Sequence, residues 1–221
     1  QEAGAVYDSI GVRKSELVSR KDEAGYEYLE FIESIVNLGI QLPVSKLNYR
    51  MSNGYLEIPA EIEEIKSLIP DSIQQKYYVS LEADEYFTAI KLPFGNREWN
   101  AYSINAVFAG ILKKTILSCK ASYQGTELLN IKGNSVTADK VKYVITLTYP
   151  DPQNPYNEGS YTNPINFVNS TIEADAWYAL GLGMVKIKGA LIGLDAITQG
   201  TINFQNINTN MSQTMFDYSI K

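Results

Sequence analysis

The side chains able to do acid–base or nucleophilic chemistry are few, and their spacing does not suit that work. The chain has no histidine and a single cysteine. Those counts remove Ser-His-Asp and Cys-His nucleophile systems, every zinc site that needs a histidine, and thiolate metal clusters. Cys119 falls among apolar residues of an alternating stretch, where a thiol behaves as a small hydrophobe. Its cationic neighbour Lys120 belongs on the opposite face, so it does not activate the thiol. Glu173 and Asp175 remain as a pair of carboxylates. Two residues apart on a strand, they share one face, whereas glycoside hydrolysis needs two carboxyl groups about 5–9.5 Å apart across a cleft. Glu82, Asp84 and Glu85 approach a calcium loop but lack the glycine and terminal glutamate of an EF-hand. Gly181-Leu-Gly-Met-Val-Lys186 begins like a dinucleotide fingerprint, yet Lys186 stands where the third glycine belongs and a β pattern follows. The expectation is a non-enzymatic protein with no metal and no cofactor.

Aromatic residues offer a different chemistry, that of binding. Trp99, Tyr102, Tyr143 and Trp177 lie in or beside predicted strands. A strongly curved sheet has a concave face that side chains, a covering helix or an apolar ligand must fill. These four are the candidate lining of such a cavity, and ordinary core is the competing assignment. Pro150 to Pro164 forms a second candidate region, fifteen residues rich in Pro, Asn, Gly, Ser and Tyr. Long loops in compact domains are often functional, and tyrosine gives contact area with a polar tip. Tyr156 and Tyr161 are the contact residues expected there.

The elements that must position these residues differ along the chain. Beyond about Lys76 the hydrophobic period is two. Leu117, Cys119, Ala121 and Tyr123 oppose Ser118, Lys120 and Ser122. Val141, Tyr143, Ile145, Leu147 and Tyr149 alternate with Lys142, Val144, Thr146 and Thr148. Tyr102, Ile104, Ala106 and Phe108 alternate with Ala101, Ser103 and Asn105. These are half-buried antiparallel strands, and the glycine spacing suggests a meander of eight to eleven. Earlier, apolar residues at Ala24, Tyr28, Phe31, Ile32, Ile35 and Leu38 follow helical spacing, predicting a helix over Asp22–Leu38. A second helix is predicted from Pro59 to Pro70, with Ile62, Ile65, Leu68 and Ile69 on one side. Both polar faces are acidic, which does not suit a membrane surface.

Composition narrows the partners. At 221 residues with net charge −6, the chain does not suit nucleic acid, which requires clustered Lys and Arg. Sixteen tyrosines and many Asn and Thr favour strands and polar turns, as in secreted and envelope proteins. No stretch approaches the roughly 18 apolar residues of a transmembrane span. Gln1-Glu2-Ala3-Gly4 has neither a basic n-region nor an apolar h-region. The expectation is a mature chain whose targeting segment has been removed, with room for an N-terminal lipid anchor upstream.

Three blocks carry a family resemblance: Lys91 to Trp99, Gly133 to Val141, and the hairpin Trp177-Tyr-Ala-Leu-Gly-Leu-Gly-Met-Val-Lys186, whose turn is Gly181-Leu182-Gly183. Over residues 76–221 the chain resembles bacterial envelope proteins, many of them Bacteroidetes-type lipoproteins, of the LolA- and LppX-like superfamily. That resemblance implies an α+β, mainly β fold. It is a curved antiparallel half-barrel over 76–221, with one or two helices from an N-terminal segment, residues 1–75, on its concave side. It also implies a periplasmic or outer-membrane-associated location, and a hydrophobic ligand, lipoprotein acyl chain or envelope protein as partner. It supplies no catalytic residues. The alternatives are a glycan-binding or surface-assembly module built on the 150–164 loop, and a carboxylate hydrolase using Glu173 and Asp175.

Overall fold

The structure, a computed structural model, describes residues 11–37, 40–41, 45–60, 69–93, 97–109, 112–131, 133–160, 162–190 and 210–214. The elements among them, in chain order, begin with β1 (Gly11–Glu23), β2 (Tyr26–Asn37), β3 (Ile40–Gln41), β4 (Ser45–Ser52) and β5 (Tyr55–Pro59). Then come α1 (Asp71–Tyr77), β6 (Ser80–Ala83), β7 (Tyr86–Lys91), β8 (Glu98–Phe108) and β9 (Leu112–Ile131). The chain continues through β10 (Asn134–Pro150), β11 (Phe167–Ala179), β12 (Gly183–Ala190) and β13 (Asn210–Thr214). They form two antiparallel sheets. Sheet one runs β1-β2-β4-β5-β7, with β3 also on β2, and sheet two runs β13-β12-β11-β10-β9-β8-β6.

The alternation expected in β8, β9 and β10 is present. Tyr102, Ile104, Ala106, Phe108, Leu117, Cys119, Ala121, Val141, Tyr143, Ile145 and Leu147 are all buried. Ala101 and Ile116 are buried off the beat, because each is the extra residue of a bulge between β8 and β9. The glycine hairpin also forms as expected. Gly181 and Gly183 take φ of 77° and 76°, the Leu182 amide donates to the Ala179 carbonyl at 3.1 Å, and β12 returns along β11.

The helix expected over Asp22–Leu38 is not there. Asp22 and Glu23 end β1, Ala24 and Gly25 turn the chain with φ of 52° and 82°, and β2 follows. Two successive left-handed residues make the hairpin turn whose twist matches that of the flanking strands. The helical spacing was a coincidence of a strand with large residues on both faces. Leu29 pairs with Tyr49 on one face and Tyr28 with Arg50 on the other. Pairing with β1 and β4 outweighs a weak local preference. The second expected helix falls on residues 61–68, which lie outside the described residues. The helix that is described begins after Pro70, with Asp71 in its first turn where the dipole favours an acid. Tyr78 ends it in the left-handed region.

The architecture is therefore mainly β, and among the described residues no helix before α1 lies on sheet two. Sheet one covers it. Ile58, Phe87 and Ala89 from sheet one share a core with Tyr102, Tyr143, Ile145 and Ile172 of sheet two. The Phe87 ring lies 6.3 Å from that of Tyr102 and 5.9 Å from that of Tyr143. α1 adds Ile73 to this layer, with Ile69 just before it. A smaller cluster of Ile131, Ala138, Trp177, Ala179 and Val185 sits apart. Side chains alternate along a strand, so Trp177 and Tyr178 stand on opposite faces of sheet two.

Candidate functional site

Three of the four aromatic residues expected to line a cavity meet in the layer between the sheets. Register aligns Trp99, Ala121, Tyr143 and Ala174 across β8, β9, β10 and β11. The Trp99 indole N–H donates to the Thr88 carbonyl at 3.0 Å, and the Tyr143 hydroxyl donates to the Ala89 carbonyl. Both acceptors belong to β7, the last strand of sheet one. Ala89 is the residue left out of register by a bulge against β5. Side chains of sheet two thus satisfy backbone groups at the end of sheet one, where no further strand pairs among the described residues. The single Tyr143 proton is spent on Ala89, so the 2.8 Å contact between Tyr143 and Tyr178 has Tyr178 as donor. Burial raises both phenols well above their ordinary pKa. Tyr102 is 4% exposed, and its hydroxyl has no hydrogen-bond partner among the described residues. Burial first, and Asp84 second, push its pKa up to about 12.

Trp177 does not join this group. It packs on the other face of sheet two, where its N–H donates to Glu127 at 2.7 Å. Directly across the strands on either side stand Lys140 and Lys186, with ammonium groups 4.9 Å and 4.3 Å from the ring. This is a buried anchor under a charged surface. Tyr156 bridges to Ile165 within its loop, and Lys76 of α1 lies 4.5 Å from its ring. Backbone bonds from Asp151 to Asn166, Asn157 to Pro164 and Asn166 to Pro155 staple that loop across its neck. Tyr161 lies outside the described residues.

The groups considered for chemistry are occupied. Glu173 pairs with Lys142 at 2.6 Å and Asp175 with Lys140 at 3.3 Å. Their register partners place them on the outward, solvated face of sheet two. Cys119 is buried, and burial raises its thiol pKa. Glu82 pairs with Lys113, while Asp84 accepts from the Ser103 amide and hydroxyl, both at 3.1 Å. Among the described residues, no three metal-ligating side chains gather.

A different constellation lies on the outer face of sheet one. Register sets Tyr28, Arg50, Glu57 and Thr88 in one row across β2, β4, β5 and β7. Arg50 bonds Glu57 at 2.6 Å, with both side chains largely buried. Its guanidinium lies 4.6 Å from the Tyr26 ring centroid and 3.2 Å from that of Tyr86. Tyr26 and Tyr28 are 6.2 Å apart, and Lys91 lies 5.4 Å from the Tyr55 ring. All four tyrosines are half-buried. The planar guanidinium is therefore fixed by two aromatic faces and a carboxylate. Two further ion pairs lie on this face, Lys21 with Glu23 and Lys46 with Glu30. Linear spacing carries no sign of this site, but its turn does. Asn53-Gly54 is a strong two-residue hairpin signal, and it fixes the register that sets Arg50 opposite Glu57.

No family model matches this sequence, and no curated protein matches it. Among solved structures, the chain is similar to a "putative lipoprotein" from Parabacteroides distasonis ATCC 8503. That likeness has 14% identity and a TM-score of 0.46, over 93% of this chain and 85% of the other. It is also similar to a "putative exported protein with YmcC-like fold" from Bacteroides fragilis NCTC 9343. There the identity is 12% and the TM-score 0.42, over 81% of this chain and 80% of the other. The functional reading rests on this chain's own residues.

Proposed function

We propose that this chain is a non-enzymatic cell-envelope domain that binds an uncharged glycan on the outer face of sheet one. The observation that carries the reading is the Arg50–Glu57 pair held between Tyr26 and Tyr86. Tyrosine rings offer flat apolar faces to sugar C–H groups, and their hydroxyls serve as polar tips. Arginine and glutamate held in place can bond neighbouring sugar hydroxyls with little ordering cost. Three acid–base pairs on this face offset one another's charge, and the net charge of −6 repels polyanions. The envelope location rests on the Tyr-, Asn- and Thr-rich composition and on the resemblance of the Trp177–Lys186 hairpin. The ion-paired state of Glu173 and Asp175 supports a non-catalytic role.

A glycan array with the wild type and Arg50→Lys tests this. Lysine keeps the charge but not the stacked fork. The expected result is binding of at least one neutral glycan, weakened about tenfold or more in the variant at unchanged urea midpoint. No bound glycan, or equal binding by both proteins, would refute it. Tyr156 and Tyr161 of the 150–164 loop are the alternative contacts for the same ligand class, and Tyr156→Ala/Tyr161→Ala tests them.

One observation favours a second reading, an apolar ligand such as a lipid or acyl chain held at Trp99, Tyr102 and Tyr143. The Tyr102 hydroxyl is a buried donor without a partner among the described residues, and a polar headgroup would supply one. The two sheets would have to part to admit it. Native mass spectrometry of protein from the producing cells, with lipid extraction, decides: a co-purified lipid favours this reading, and a ligand-free mass removes it.

A further inference from the structure

Beside the Tyr26–Arg50–Tyr86 arrangement, sheet one ends in a cleft that those three side chains do not fill. Two hairpin turns form its walls, Ala24-Gly25 between β1 and β2 and Asn53-Gly54 between β4 and β5. Both turns are left-handed pairs, with φ of 52° and 82° in one and 47° and 84° in the other, which keeps each turn narrow. The second wall is also tied from β7, where the Leu92 amide donates to the Gly54 carbonyl at 2.7 Å. The space between the walls is about 580 Å³, inside the ~300–1,000 Å³ of small-molecule sites. Tyr26 belongs to both places, since its ring meets Arg50 and also lines the cleft. Side chains alternate along a strand, so Ser52 shares the face of Arg50, and Tyr55 that of Glu57. Both line the cleft as well. From Pro59, which pairs with Tyr86, back to Gly54 the chain runs about 17 Å, well beyond the length of one sugar ring.

We infer that the ligand of this face is an oligosaccharide, and that a sugar next to the one held at Arg50 enters the cleft. The inference rests on the glycan reading above and adds to it the length of the ligand and a second subsite. Polar groups suited to sugar hydroxyls line the cleft, namely the Ser52 hydroxyl, the Asn53 amide and the carboxylates of Asp22, Glu23 and Glu27. Arg20 pairs with Glu27 and Lys21 with Glu23, whereas Asp22 has no ion pair among the described residues. Its two oxygens are open to neighbouring hydroxyls, and hydrogen bonds to an ionised acceptor are stronger than neutral ones. The same charge rejects a uronate or a phosphate ester at that sugar. Tyr26 and Tyr55 supply ring surface on the way in, so apolar and polar contacts continue from the Arg50 position into the cleft.

Calorimetric titration tests this with neutral cello-, malto-, manno- and N-acetylated chito-oligosaccharides, each series starting from the single sugar. The proteins are wild type, Asp22→Ala, Ser52→Ala and Arg50→Lys. In at least one series the wild-type affinity should rise about tenfold or more with chain length and then level off. Asp22→Ala and Ser52→Ala should lose that rise yet bind the shortest bound member as the wild type does, which a misfolded variant would not. Arg50→Lys should weaken every length. Affinity independent of length, a rise that survives both cleft substitutions, or a cleft substitution that weakens the shortest member as much as the longest would overturn the inference while leaving the Arg50 reading in place. No binding in any series, or equal binding by wild type and Arg50→Lys, would remove that reading and the inference with it.

Discussion

Tyr143 holds the two sheets together through an oxygen that serves as donor and acceptor at once, and the consequence is a hierarchy of costs. Tyr143→Phe removes one oxygen atom and two hydrogen bonds. It leaves the Ala89 carbonyl and the Tyr178 hydroxyl without partners in a layer where both are buried. Each orphaned buried group costs about 1–3 kcal/mol, so the loss should be about 2–4 kcal/mol. Tyr178→Phe removes only a donor to Tyr143, whose own proton still reaches Ala89. That loss should be about 1 kcal/mol. The double variant should cost less than the sum, because Tyr178 is no longer present to be orphaned. Urea unfolding measures all three, with the midpoint falling at constant m. If Tyr178→Phe costs as much as Tyr143→Phe, or Tyr143→Phe falls within about 0.5 kcal/mol of wild type, the assigned proton direction is wrong.

Further expectations follow from the same geometry. Folded Tyr102, Tyr143, Tyr178 and Cys119 all hold their protons more tightly than they would unfolded. Their stabilisation is complete below the unfolded values and declines as pH rises past about 8.5 for the thiol and about 10 for the phenols. Tyr102→Phe should flatten the decline between pH 10 and about 12, read from urea midpoints across that range. Cys119 should stay inert to a thiol reagent in the native protein and react fully in denaturant; fast native labelling would contradict its burial. Trp177→Phe loses the bond to Glu127 and the better ring for two lysines, and about 1–2 kcal/mol of stability should go with them in urea unfolding. Gly54→Ala puts a Cβ 2.6 Å from the Leu92 carbonyl oxygen at φ of 84°, and calorimetry should show a fall of several degrees in Tm.

Sheet two was legible because its strands are half-buried. One polar and one apolar face give a clean period of two, and Gly181 and Gly183 mark the hairpin. β2 was not legible as a strand. Tyr28 and Phe31 face opposite sides, so both parities carry large residues, and only pairing with two neighbours distinguishes it from a helix. Gly25 held the needed information as one residue of a left-handed turn. Of the four aromatic residues expected together, Trp177 stands apart, because it alternates along β11 with Tyr178, which packs between the sheets. The Tyr26–Arg50–Tyr86 arrangement draws on three strands far apart in sequence, and only register brings them together.

The path of the chain between β6 and β8 has a bearing on how this protein can be dissected. β6 belongs to sheet two, β7 to sheet one, and β8 to sheet two again. The polypeptide laces the layers to each other, and β5 gains its second neighbour only when β7 arrives. A fragment cut after residue 75 would display a bare β5 edge and an oily inner surface, the makings of an aggregate. The remainder would lose the layer that shields Tyr102 and Tyr143. Segment swaps and split-protein designs should therefore keep residues 45–108 in one piece.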